Sequence, residues 1–239
     1  MAQVLRVATL VPFPSGERRS VLLVSVAHAF SHCYMLVLPP IFPLLHADTG
    51  LSYTVLGTLL AVYALATGLM QLPVGLLVDR LGARRILAYG LALNGLAILL
   101  LGLAPGYWTL LLLMATAGAA NAVFHPADYT ILSSAVAEER MGRAFSMHLV
   151  AGYLGWMIAP LAVLGLSRIG GWPFALAVLG GVGVVYGLWL LSQVQWLPES
   201  DRRGGRTGAA APGRLRLFTP VILALLAFYF LIALGGNGI

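Results

Sequence analysis

Four histidines and one aspartate lie inside long apolar runs: His28, His32, His125, Asp128 and His148. Ionisable groups in such runs are costly in a bilayer and usually face a partner, a cavity or a substrate path. Their spacing groups them. Ser25, His28, His32 and Pro39 are separated by three, four and seven residues, so they share one helix face. Met114, Gly118, Asn121, His125 and Asp128 do the same on a second stretch. His148 lies on a third, followed by the small-residue stripe Gly152, Gly155 and Ala159. At about 1.5 Å per residue, His28 lies roughly 12 Å into its run, and His125 and His148 roughly 10–15 Å into theirs. The three imidazoles can therefore share one layer, with His32 nearer the midplane.

A neutral imidazole donates and accepts, and it takes up a proton near neutral pH. The layer thus suits an anionic substrate group or a coupled proton, with Asn121, Asp128 and His148 beside His28 and His125. Pro126 lacks an N–H, which frees the Ala122 carbonyl to accept from a ligand or water. A rival reading is an intramembrane metal-binding protein or enzyme, because His28 and His32 have i, i+4 spacing and His125 and Asp128 complete a donor set. A membrane scaffold that transports nothing is a third reading. In it each polar group simply makes an interhelical hydrogen bond. Tyr63, Gln71, Tyr129, Tyr153 and Trp156 read as packing or interfacial anchors.

Composition bounds the class. Of 239 residues, 60% are hydrophobic and 9% charged, whereas soluble domains carry about 25% charged residues. The chain is an integral membrane protein. All fourteen basic residues are arginine, which fits the codon usage of a GC-rich bacterial genome. The net charge of +6 does not imply nucleic acid, since the arginines fall between apolar runs. Cys33 is the one cysteine, so no intrachain disulfide forms. There is no Gly-rich nucleotide loop and no nucleophile with a paired base. The sequence therefore reads as no enzyme, with no cofactor and no resident metal, and any transport is driven by an ion or solute gradient.

Spanning helices need roughly 20 apolar residues. Seven are expected, at 20–45, 51–78, 85–104, 107–135, 142–167, 172–195 and 218–239. Residues 1–19 form a short basic segment, and 196–217 a mobile basic linker rich in Gly, Ala and Pro. Six helices thus precede the linker and one follows. With the N-terminus inside, thirteen arginines are cytoplasmic and only Arg168 is outside, as the positive-inside rule requires. The first and fourth helices both carry His and Pro deep in apolar sequence. They occupy matching places in two triplets, as in a three-plus-three inverted repeat.

Residues 75–87, GLLVDRLGARRIL, read as a polar hairpin between the second and third helices. Gly75 permits close helix contact and Gly82 a tight turn. The stretch resembles the loop between helices 2 and 3 of the major facilitator superfamily, G-x-L-a-D-R-x-G-R-K. Gly75, Leu77, Asp79, Arg80 and Gly82 match, Arg84 stands for the lysine, and Ala83 departs. The resemblance implies a gating loop in which Asp79 helps to hold the cytoplasmic side shut. It also implies an all-α membrane fold, a six-helix half-bundle plus the first helix of a second half, with the rest of that half missing from this chain.

Residues 20–165 are further similar to the fosmidomycin-resistance efflux branch, through Ser25, His28, Phe124, His125 and Pro126. Ala159-Pro160 departs at its Gly-Pro, and Ala127 intervenes before Asp128. The implied function is proton-coupled efflux of a small molecule by alternating access, as an antiporter in the bacterial plasma (inner) membrane. Met114 stands where the superfamily's fourth helix often has a membrane arginine. The topology is directly testable. A cysteine at Arg203 should resist membrane-impermeant thiol reagents in intact cells, and ready labelling from outside would reverse the orientation.

Overall fold

The computed structural model describes residues 12–104, 106–198, 219–220, 223–224 and 227–228. The chain divides into two compact units, Met1–Ser200 and Asp201–Ile239. In the second, the Leu223 amide donates to the Thr219 carbonyl in a helical turn. The linker beyond Pro198, most of the helix expected at 218–239, and residues 1–11 lie outside the described residues.

Among the described residues the first unit is all α-helix: α1 (Ser15–Met35), α2 (Phe42–Thr49), α3 (Tyr53–Leu81), α4 (Ala83–Leu101), α5 (Tyr107–Asn121), α6 (Phe124–Ala135) and α7 (Glu138–Leu190). Short 3₁₀ turns occupy Pro39–Ile41 and Val194–Trp196. Helices are the natural choice here, since a helix satisfies its own backbone in a medium without water. Five helical stretches have the length and apolarity to cross a membrane: Ser15–Thr49, Tyr53–Leu81, Ala83–Leu101, Tyr107–Ala135 and Glu138–Leu190. The last has 53 residues, about 80 Å of helix, more than twice the hydrocarbon thickness of about 30 Å. It breaks at Gly170 (φ −138°, ψ 17°) and Gly171 (φ 80°, ψ 170°), a conformation that glycine adopts readily. The first unit therefore has six spans, as the apolar runs suggest.

Two spans are not single helices. The first stops at Met35, turns through Leu36–Leu38 and resumes beyond Pro39 and Pro40, neither of which has an N–H to continue the ladder. The fourth tightens at its end, where Ala122 and Val123 bond back to Ala119 and Ala120, and restarts at Phe124. Pro126 sits in the first turn of α6, where an amide would have no intrahelical acceptor.

The expected loop at 75–87 is corrected. Helix runs to Leu81 and resumes at Ala83, so Gly82 alone lies between the two helices, with φ 95° and ψ 137°. One glycine at positive φ suffices for the reversal. Asp79 and Arg80 thus occupy the last turn of α3, and Arg84 the first turn of α4. Gly75 does not make the expected close contact, because no described atom lies within 4 Å of the place a Cβ would take.

Close backbone contacts occur elsewhere. A Cβ on Gly118 of α5 would lie 2.2 Å from the Tyr63 carbonyl oxygen of α3, and one on Gly155 of α7 would lie 2.2 Å from that of Ala29 in α1. Gly95 of α4 and Gly180 of α7 press on each other's backbones in the same way. Apolar lipid gives helices little hydrophobic reason to pair, so this close packing supplies much of the association. Polar ties join α7 to α1 at one end of the first span and to α2 at the other. Arg140 donates to both Glu17 carboxylate oxygens at 2.8 and 2.6 Å, and the Trp172 indole donates to Asp48 at 2.6 Å.

Gly118→Ala should destabilise the chain by about 1–3 kcal/mol, the usual cost of overpacking. Thermal unfolding in detergent measures it, with Gly75→Ala as the matched control that should lose nothing.

Candidate functional site

Three helices bring the ionisable residues together. α1 carries His28 and His32, α6 carries His125 and Asp128, and α7 carries His148. Asp128 is fully buried, and His28 and His148 are nearly so. His28 is the hub. Its ring stacks on His148 with centroids 3.8 Å apart and lies 4.5 Å from His32 and 5.5 Å from His125. Asp128 Oδ2 lies 3.4 Å from His28 Nδ1 and 3.6 Å from His148 Nε2. His32 continues the ring chain to Trp156 at 4.5 Å. His125 is exposed and faces Tyr129 at 5.8 Å.

Gly152 makes room for the cluster. A Cβ there would lie 2.9 Å from His28 Nε2 and 3.0 Å from His32 Cε1. The stripe read from the sequence therefore has two uses on α7: Gly155 admits the backbone of α1, and Gly152 admits its imidazoles.

The cluster is poorly satisfied. Among the described residues, neither Asp128 oxygen, neither His148 ring nitrogen, nor Nδ1 of His28 or His32 has a hydrogen-bond partner. The two imidazole–carboxylate contacts are longer than the roughly 2.7–2.9 Å of a charge-assisted hydrogen bond. One donor atom each from His28, Asp128 and His148 lies within 4.8 Å of the other two. Such a trio can share a proton, accept hydrogen bonds from a ligand, or coordinate a cation.

Asn121 is differently placed. Its side-chain oxygen accepts from Ser31 Oγ at 2.7 Å and from Asn94 Nδ2 at 3.3 Å, tying α1, α4 and α5. Ser31 and Asn94 were not among the sequence candidates. Asn94 is a lone amide in the middle of an apolar helix, and that was the available signal. Of the turn residues, Gly82 is buried, whereas Asp79 and Arg80 are exposed. A groove of about 500 Å³ runs between α1 and α7, lined by Leu22, Val26, Arg143, Val150 and Leu154 among others. Ser25, from the His28 face of α1, also lines it, whereas the four histidines, Asn121 and Asp128 do not. Met114 is buried in apolar packing.

Six spans fall into two triplets, each opening with a helix broken near its ionisable residues. Because a triplet is odd, the second runs through the bundle in the opposite sense. This is a multi-pass α-helical membrane protein of the inverted-repeat class. The chain belongs to the Major Facilitator Superfamily, whose family model matches residues 24–239.

It is 27% identical over 192 residues to the uncharacterised MFS-type transporter YfnC of Bacillus subtilis, covering 78% of this chain and 47% of that protein. It is 34% identical over 166 residues to an uncharacterised Mycobacterium bovis protein, covering 66% of this chain and 40% of that one. The Fosmidomycin resistance protein of Escherichia coli is 28% identical over 138 residues, covering 58% of this chain and 34% of that protein. The fold is shared with a bacterial homologue of the human lysosomal transporter Spinster in an inward-facing, unoccupied conformation. The TM-score is 0.71 at 18% identity, over 91% of this chain and 49% of that one. The chain thus spans half or less of the length of these proteins.

The Asn121 tie yields a double-mutant test. Ser31→Ala and Asn121→Ala should each destabilise the detergent-purified chain, with a coupling of about 0.6 kcal/mol between them, typical of interhelical hydrogen bonds in membranes. Strict additivity in thermal unfolding would remove the tie.

Proposed function

We propose that this chain supplies one half of a secondary active transporter that moves a small molecule by alternating access. One observation carries the reading. A buried, unpartnered histidine–aspartate cluster sits where broken helices meet inside a membrane bundle. A bundle that only spans or scaffolds has no need of such groups, because they are expensive at that depth. Discontinuous helices commonly mark the sites of substrate and coupling ion in transporters with inverted repeats.

In this reading the broken spans line the substrate path, and His125, exposed beside Tyr129, offers the first contact to substrate. His28, His32, Asp128 and His148 form the inner part of the site, with proton as the coupled ion. Asn121 holds the helices that carry them. The second half, from further sequence or another subunit, supplies the opposite wall of the path. Asp79, Arg80 and Arg84, around the Gly82 turn, form the gate on the cytoplasmic side, where the arginine bias also places the N-terminus. Efflux is the favoured direction, supported by the similarity to a resistance protein, and the plasma membrane is the location. The rival scaffold reading leaves the cluster without a purpose.

The test is reconstitution in liposomes of this half with its second half. Asp128→Asn should abolish transport driven by an imposed proton gradient while sparing substrate exchange at equilibrium. His125→Gln should weaken substrate binding, with expression retained. Wild-type gradient-driven transport in both variants would refute the site. Residues 1–239 alone should carry nothing, because the path then lacks one wall.

A further inference from the structure

We propose that His28, Asp128 and His148 form a binding site for a divalent transition-metal ion of the zinc class. Two neutral imidazoles and one carboxylate are a common donor set for zinc, and the same set serves other first-row metals. The inference concerns binding alone: it gives a second ligand to three residues that the transport reading assigns to the coupled proton, and it does not rest on that reading.

The geometry carries it. A tetrahedral ion with bonds of about 2.0–2.1 Å holds its ligand atoms about 3.3–3.4 Å apart. The edges from Asp128 Oδ2 to His28 Nδ1 and to His148 Nε2 are 3.4 and 3.6 Å. One donor atom from each residue lies within 4.8 Å of the other two; the stacked His28 and His148 rings, 3.8 Å apart at their centroids, would open to about 5 Å as both lone pairs turn onto one tetrahedral ion. His28 Nδ1, His148 Nε2 and both Asp128 oxygens lack hydrogen-bond partners among the described residues. No existing hydrogen bond must therefore break for the donors to turn toward an ion. A further imidazole, His32, lies 4.5 Å from His28 ring to ring, and its buried Nδ1 is likewise without a hydrogen-bond partner among the described residues.

Charge points the same way. A carboxylate buried in the bundle with only imidazoles beside it gains from an adjacent cation. A divalent ion on one carboxylate leaves a single net positive charge shared among the ligands. Removing Asp128 therefore takes away the charged ligand, and removing His148 takes away one corner of the triangle.

The experiment uses the whole 239-residue chain in detergent, carrying no polyhistidine tag and stripped with chelator. It is titrated with Co²⁺ and then with Zn²⁺. The expected result is one Co²⁺ per chain, with the intense visible absorption of a four-coordinate ion, displaced by one equivalent of Zn²⁺. Asp128→Asn and His148→Gln should each weaken binding at least tenfold, and His46→Gln, remote from the cluster, should not. X-ray absorption at the zinc edge of the wild-type chain should show a nitrogen and oxygen shell with two imidazoles, a result that needs no variant to fold. Absence of wild-type binding, a six-coordinate spectrum, or equal binding in Asp128→Asn and His148→Gln would overturn the site.

Discussion

A carboxyl group enclosed by helices, without a cation beside it, is the constraint on which the rest of this bundle turns. Asp128 is wholly buried, and its nearest polar neighbours are imidazoles contributed by two other helices. Such a group is costly in a membrane and faces the bundle interior, where other polar groups can pair with it. That demand fixes what surrounds it. α1 must present His28, α7 must present His148, and α7 must also lack side chains at Gly152 and Gly155. A side chain at Gly155 would push α1 away and pull His28 off the carboxyl.

The helix breaks serve the same cluster. His32 lies one turn before the first span stops, and His125 is the second residue after the fourth span restarts. Residues beside a break sit next to backbone groups without a regular helical partner, and they can change direction without bending a whole span. Pro39 and Pro40 thus act through the N–H groups they lack, whereas Pro126 fits the first turn of α6, where no N–H is needed. Their place beside the histidines links backbone geometry to the ionisable layer.

The spans were readable because lipid is an unforgiving solvent. Each helix must be apolar over the bilayer thickness, so hydropathy located all six spans of the first unit. The faces bearing His28 and His32, and His125 and Asp128, followed from three- and four-residue spacing. Details set by contacts between helices were not readable. Nothing in the order of residues says that Gly118 meets Tyr63 while Gly75 meets no other described residue, since both are glycines in apolar helices. The charges around Gly82 read as a loop because they cannot enter hydrocarbon, yet charges at helix ends already lie beyond it. Ser31 and Asn94 were missed because serine and asparagine in an apolar run announce no partner until the helices are placed.

Two polar clusters in one bundle give an internal comparison. Around Asn121 the donors and acceptor meet at 2.7 and 3.3 Å, and the Asn121 oxygen receives a hydrogen from each of two helices. That is what a fixed interhelical tie looks like, and sequence and packing have evidently settled its geometry. Around Asp128 the contacts are 3.4 and 3.6 Å, and among the described residues both carboxyl oxygens lack a donor. One helix, α1, contributes to both clusters, so looseness of that helix does not explain the difference. A chain able to close one polar network tightly has left the other open, and it has done so at its most expensive buried group. An open set of donors around a buried carboxyl is an arrangement that can receive a transient cation. A packing role alone would be better served by the geometry found at Asn121.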